Sequence, residues 1–333
     1  MDIIFKIRQK ASQKKKTILL PEYNDNRVIE ASNIISSQGI AKGILLSPDK
    51  VDKNDRDRYI QQYYDLRRSK GVELEQVKKM FDDPLFSAAM MVREGKADGF
   101  VAGANHTTAD TARAAIHCLG LDERYTIATS CFIMSIPDCP FGSNGNFIYA
   151  DCGVIPEPNA RQLACIAILS AELGGKVLDF TPRVALLSYS TKGSAKGKGI
   201  DKIAEALKII KEMVPELLVD GEMQVDAAII PQVGKIKCPQ SSVAGQANVL
   251  VFPDLEAGNI GYKLTERLAK GRALGPLLLG LKKPSSDLSR GCSIDDVVEA
   301  FIKVATSQNS VGEVINIGSN FEISIGDIAK KVI

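Results

Sequence analysis

Several features that would define the class of this chain are missing from it. No apolar run approaches the roughly 20 residues that a bilayer-spanning helix needs. Lys and Arg total 42 against 40 for Asp and Glu, so neither sign of charge dominates. That balance excludes a broad electrostatic footprint for nucleic acid or a membrane surface. The one dense basic run, Lys14–Lys16, reads as a solvated helix end. Only two histidines occur, and the carboxylates do not cluster at ligand spacing, so no metal site emerges. The seven cysteines are scattered, odd in number and without C-x-x-C spacing, which disfavours a disulfide framework or a zinc site. Most of them are expected to be small buried hydrophobes. Residues Met1–Arg8 alternate charged and apolar types at helical spacing and lack a signal-peptide core. A cytoplasmic protein is the expectation. There is no internal repeat and no low-complexity tract.

What is present is ordinary globular material: 333 residues, 45% hydrophobic and 25% charged. That length suits one large or two medium domains. Short apolar runs at 17–20, 42–46, 99–102, 147–150, 183–188, 248–252 and 273–279 read as buried strands. Helical patterns at 27–38, 108–119, 160–173, 199–213, 259–269 and 294–306 separate them. Alternation of this kind predicts an α/β fold with mainly parallel sheets. Ligands in such folds bind beyond the carboxyl ends of the strands. The turn-rich segment Pro137–Asn146 reads as a long turn or hairpin and a domain junction, and Leu281–Ser286 as a second. Crossing at both returns the end of the chain to the first domain.

Four strand-end loops concentrate polar groups. In Leu20–Arg27, Asn24 and Asp25 can cap a helix. Arg27 falls in the first helical turn, where the macrodipole disfavours a cation, and a bound anion would explain it. In Gly103–Arg113, small residues, hydroxyls and amides at a helix start suit a phosphate. His106 there reads as a loop or capping residue or else a general base, and His117 as structural. Ser188–Gly199 looks hospitable to phosphate but fails both nucleotide fingerprints. Gly193 to Gly197 is one residue short of a P-loop, and Lys202 stands where a dinucleotide fold needs glycine. It remains a loop that could help hold an extended ligand. The fourth is Asp287-Leu-Ser-Arg-Gly-Cys-Ser-Ile-Asp-Asp296, which puts a hydroxyl, a guanidinium and carboxylates into one turn before a helix. Capping by Ser293 with Asp295 and Asp296 in the first turn accounts for part of it. It does not account for Ser289 and Arg290.

Several long segments carry a family resemblance. Phe252–Tyr262, Asp220–Ala228 and Leu187–Ala195 resemble signature segments of the phosphate acetyltransferases (phosphotransacetylases), and Lys283–Ser293 is similar to that family's active-site motif. The resemblance runs in unbroken order over roughly residues 1–308, and the chain looks like the short form. It implies two α/β domains with a cleft between them, similar to the isocitrate and isopropylmalate dehydrogenase fold. Residues 1–130 with 282–308 would form the first domain and 131–281 the second. It implies reversible acetyl transfer between acetyl phosphate and coenzyme A, with coenzyme A as substrate, no tightly bound cofactor and a homodimeric assembly. Ser289, Arg290 and Asp296 match the catalytic serine, arginine and aspartate. Arg113 and Arg67 match arginines of the phosphate site, and Arg27 a position linked to coenzyme A.

By that resemblance Asp296 takes the thiol proton, Ser289 steadies the oxyanion, and Arg290, Arg113 and Arg67 hold phosphate. A phosphate butyryltransferase is the nearest alternative, and Asp220–Asp226 looks more like the acetyl enzymes. A silent acyl-CoA or acetyl phosphate binding protein is the alternative of a different class, opposed by the joint presence of Ser289, Arg290, Arg113 and Asp296. The tail 309–333 departs from the family and resembles the C-terminal region of nucleotide-sugar epimerases and dehydratases. Without an N-terminal dinucleotide fingerprint it implies no sugar chemistry.

Overall fold

A computed structural model of the chain describes residues 3–288 and 292–306. Its strands are β1 (Thr17–Leu20), β2 (Lys42–Leu45), β3 (Gly99–Ala102), β4 (Thr129–Ser135), β5 (Asn146–Ala150), β6 (Arg183–Leu187), β7 (Leu218–Met223), β8 (Val249–Val251), β9 (Arg272–Leu279) and β10 (Ser285–Asp287). Its helices are α1 (Ile3–Gln13), α2 (Asn26–Ser37), α3 (Lys53–Arg67), α4 (Leu74–Met80), α5 (Pro84–Arg93), α6 (Thr108–Ala114), α7 (Ala160–Val177), α8 (Lys198–Met213), α9 (Val225–Ile229), α10 (Pro231–Lys237), α11 (Leu255–Leu268) and α12 (Ile294–Thr306). The α/β class expected from the alternating pattern is the one observed.

The strands form two sheets. One has the order β10-β3-β1-β2 and is entirely parallel. The other has the order β7-β6-β8-β5-β4-β9, parallel except where β4 runs antiparallel to β5 and β9. The continuous apolar runs follow from burial on both faces. Along β1, Ile18 and Leu20 enter one core cluster while Leu19 enters another. In β6, Val184 and Leu186 face one side, and Ala185 and Leu187 the other. Period-2 alternation then divides one apolar run between two cores instead of between core and water.

In the first sheet, α1, α2 and α12 pack on one face, with Ile7, Val28, Ala31, Ile35, Val298 and Phe301 in a shared core. The other face is covered by α3 and α5 through Tyr59, Tyr63, Phe86 and Met90. The chain thus returns to its first sheet near its end, through β10 and α12. The 137–146 segment is a hairpin, with Ser135 opposite Asn146. It joins two neighbouring strands of the six-stranded sheet, so it is not a junction between sheets. Chain passes between the sheets after β3 and again between β9 and β10.

The sequence pattern did not mark β4, β7 or β10, nor α4, α5, α9 or α10. β10 is three residues, Ser-Ser-Asp, with no strand propensity of its own. It exists because its backbone pairs with β3. α5 carries a start signal, with the Asp83 side chain accepting from the Leu85 amide and Pro84 in the first turn. Its all-round burial hides the helical period.

Candidate functional site

Because the first sheet is parallel, the carboxyl ends of β1, β3 and β10 all emerge at one edge. β1 leads into Glu22–Arg27, β3 into Gly103–Arg113, and β10 into the segment that continues to Asp296. Three of the four polar loops picked out from sequence therefore meet there.

The centre of this edge is a buried carboxylate. Glu22 accepts from the amides of Gly103 (3.0 Å), Ala104 (2.9 Å), Asn105 (2.6 Å) and His106 (2.9 Å), and meets Nδ1 of His106 at 2.8 Å. The other ring nitrogen of His106 lies 2.9 Å from Asp83. Burial pushes the Glu22 carboxyl up, but the His106 imidazole and the loop amides pull it below its ordinary value. Burial alone would lower His106, yet the two carboxylates outweigh it and raise it to about 10. His106 is thus a charged clamp at neutral pH and cannot serve as a general base. The amides that looked ready for phosphate are occupied from inside the protein.

Arg27 is likewise satisfied internally. Asp25 caps α2, accepting from the Arg27 amide, and pairs with its guanidinium at 2.7 Å. Arg27 also donates to the carbonyls of Ala104 (2.9 Å) and Cys292 (3.1 Å). The anion that offsets the macrodipole penalty is Asp25, so no bound ligand is needed to explain Arg27. The guanidinium instead stitches the three loops together. The Ser188–Gly199 loop repeats the theme: Glu222 accepts from Ser190 Oγ (3.0 Å) and the Gly193 amide (2.7 Å). Asp151, at the end of β5, accepts from Thr129 Oγ1 (2.8 Å) and the amides of Gly153, Val154 and Ile155. Sequence reasoning missed these acids. For Glu22 and Asp151 the signal was a carboxylate one or two residues past an apolar strand, as in Ala150-Asp151 and Leu20-Pro-Glu22, whereas Glu222 lies within β7.

Arg67 and Arg113, distant in sequence, lie on elements that pack together, since α3 contacts the helical turn that continues α6. Arg67 ends α3, and the half-exposed Arg113 lies on α6 and pairs with Asp110 at 2.7 Å. Both act on the same imidazole. Burial, then Arg67 and Arg113, lower His117 to about 4. The buried Nε of Arg67 has no hydrogen-bond partner among the described residues. α6 in turn packs on β10, the strand that enters the 287–296 segment.

Of that segment, Asp287 pairs with Ala102 in the sheet, and the Leu288 amide donates to the Ala102 carbonyl at 2.6 Å. The Ser293 carbonyl accepts from the Val297 amide, so α12 starts just after Ser293, with Asp295 and Asp296 in its first turn. Ser289 and Arg290 lie outside the described residues, as do residues 307–333, which include the tail 309–333.

A mainly parallel α/β scaffold whose polar loops meet at the carboxyl edge of one sheet has the layout in which such folds bind ligands. Residues 2–305 match the family described as Phosphate acetyl/butaryl transferase, and the chain belongs to that family. It is an acyltransferase. The chain is 44% identical over 324 residues to a phosphate acetyltransferase of Thermoanaerobacterium thermosaccharolyticum, covering 92% of this chain and 99% of that one. It is 44% identical over 317 residues to a phosphate acetyltransferase of Acetivibrio thermocellus, covering 90% and 96%. Among solved structures, a phosphotransacetylase from Streptococcus pyogenes superposes with a TM-score of 0.85 at 36% identity, covering 92% of this chain and 98% of that one.

Proposed function

We propose that the chain catalyses the reversible transfer of an acetyl group between acetyl phosphate and coenzyme A, by direct thiolate attack in a ternary complex. The observation that supports this reading is that α3, which ends in Arg67, packs on the helical turn after Arg113, while α6 packs on the strand that enters the 287–296 turn. Two guanidiniums at one pole suit a doubly charged phosphate.

Only a few per cent of a free thiol is thiolate at neutral pH. Asp296 takes the thiol proton. The sulfur then attacks the carbonyl carbon of acetyl phosphate, the new C–S bond replaces the C–O bond, and phosphate leaves. Ser289 donates to the developing oxyanion, a contribution typically worth about 3 kcal/mol when preorganised. Arg290, with Arg67 and Arg113, neutralises the phosphate. Arg27, whose side chain is 29% accessible, lies at the coenzyme A site and holds together the loops that line it. No enzyme-bound intermediate is required.

Residues 1–130 with 282–308 form one domain and 131–281 the second, with substrates in the cleft between them. The protein works in the cytoplasm; among the described residues no helix is long and apolar enough to cross a membrane. It assembles as a homodimer, for which α11 offers an exposed apolar stripe of Ile260, Leu264 and Leu268 at i, i+4 and i+8.

The test is an acetyl-CoA formation assay on Asp296→Asn. Loss of a general base lowers kcat by about 100-fold or more. Turnover near that of the parent would remove Asp296 from the base role. Butyryl phosphate in the same assay should turn over more slowly than acetyl phosphate.

A further inference from the structure

His117, read from sequence as structural, sits where the two helices that carry the arginines meet. Tyr63 and Arg67 are four residues apart on α3. Arg113 and His117 are also four residues apart, where α6 continues into a single π-helical turn, Ala115–Leu119. Residues four apart share a helix face. The two faces are joined by one hydrogen bond, Tyr63 Oη to His117 Nδ1 at 2.8 Å. Both arginines act electrostatically on this pair: each lowers His117 and opposes the burial that raises Tyr63 to about 12.

Tyr63 is held rigidly. Its ring packs edge-on against Phe81 and Phe86, with centroids 5.9 and 5.5 Å away, and it is 1% exposed. A Tyr hydroxyl fixed in this way and hydrogen-bonded to Nδ1 of the imidazole fixes the angle of the helix turn carrying His117. Arg113, one turn earlier, inherits that angle.

We propose that the Tyr63–His117 hydrogen bond is a strut that positions Arg67 and Arg113 as one anion-binding pair. The strut is uncharged, so it joins the two helices without adding a third cation or a competing carboxylate. Tyr63 and His117 are positioning residues that act through the arginines. The inference rests on the phosphate role given to the arginines under the proposed function.

Steady-state kinetics on Tyr63→Phe, with thermal melting to check folding, test it. The variant deletes one hydroxyl and keeps the packed ring. Its apparent KM for acetyl phosphate, and for phosphate in the reverse reaction, should rise about 5-fold, the effect of one neutral hydrogen bond, with KM for coenzyme A and kcat unchanged. His117→Asn, which keeps an acceptor near the Nδ1 position, should stay within about 2-fold of the parent, whereas His117→Ala should match Tyr63→Phe. Unchanged acetyl phosphate KM in Tyr63→Phe, or an equal rise for both substrates, overturns the strut. Arg113→Gln and Arg67→Gln separate the two levels. If they raise KM for acetyl phosphate while Tyr63→Phe does not, only the strut falls. If neither raises it, the phosphate role falls and the strut with it.

Discussion

Replacing Glu22 with Gln tests whether the buried carboxylate organises the edge where the three loops meet. The carboxylate accepts five hydrogen bonds, four of them from consecutive backbone amides. An isosteric amide can keep an oxygen at the Oε1 position, which serves most of these contacts. Its nitrogen then faces the Ala104 amide, donor against donor, and the negative charge opposite His106 is lost. Removing one partner of a buried pair typically costs about 3–5 kcal/mol. Asp83 still faces the imidazole but its side chain is 49% exposed, so it compensates in part. The expected loss is about 2–4 kcal/mol, read as a lower midpoint in equilibrium urea unfolding. The pH dependence supplies a second readout. His106 is raised to about 10 in the fold, so its contribution is full below its ordinary 6.5 and fades as pH rises through about 10. Glu22 is lowered, so its contribution is full above its ordinary 4.5 and is lost as pH falls through the folded value. Parent and variant should therefore differ most between about pH 4.5 and 6.5 and converge toward pH 10. A loss under about 1 kcal/mol, or a parent His106 that titrates near 6.5 by NMR, would refute the clamp.

Three further outcomes are expected. Gly280 has φ +87, and a Cβ there would lie 2.1 Å from the Ile127 carbonyl oxygen. Gly280→Ala should cost at least about 2 kcal/mol by thermal melting, since it strains the crossing between β9 and β10; a shift within error would contradict the close approach. Leu264→Lys, in the middle of the exposed α11 stripe, should move the protein toward monomer in light scattering without lowering its melting temperature at high dilution. A monomeric parent would remove the dimer. Deletion of residues 310–333 should leave turnover within about 2-fold, because the family match ends at residue 305. A large loss would give the tail a role.

The strand and helix alternation was legible because it follows from burial on both sheet faces, which leaves runs such as Ile18–Leu20 and Val184–Leu187 unbroken by polar residues. The positions of the polar loops were legible for the same reason, since each begins where an apolar run stops. β10 and α5 were not legible. One is a strand only through its partner, and the other has no polar face to mark a period. At the site, composition and spacing gave Arg113 and the 287–296 turn, while Arg67 came from the family resemblance alone, since it lies in a charged helix with no local sign of a ligand.

The chain's own residues thus settled the class of fold, the elements that carry it and the loops where chemistry belongs, because hydrophobic periodicity and turn chemistry are local. Which polar groups answer one another depended on the tertiary structure. Glu22 finds amides some 80 positions away, Arg27 finds Cys292, and Tyr63 finds His117. In sequence, an amide-rich loop open to phosphate and one already filled by a carboxylate look alike. The difference is a contact between distant segments, and a parallel sheet creates it by bringing their carboxyl ends to one edge.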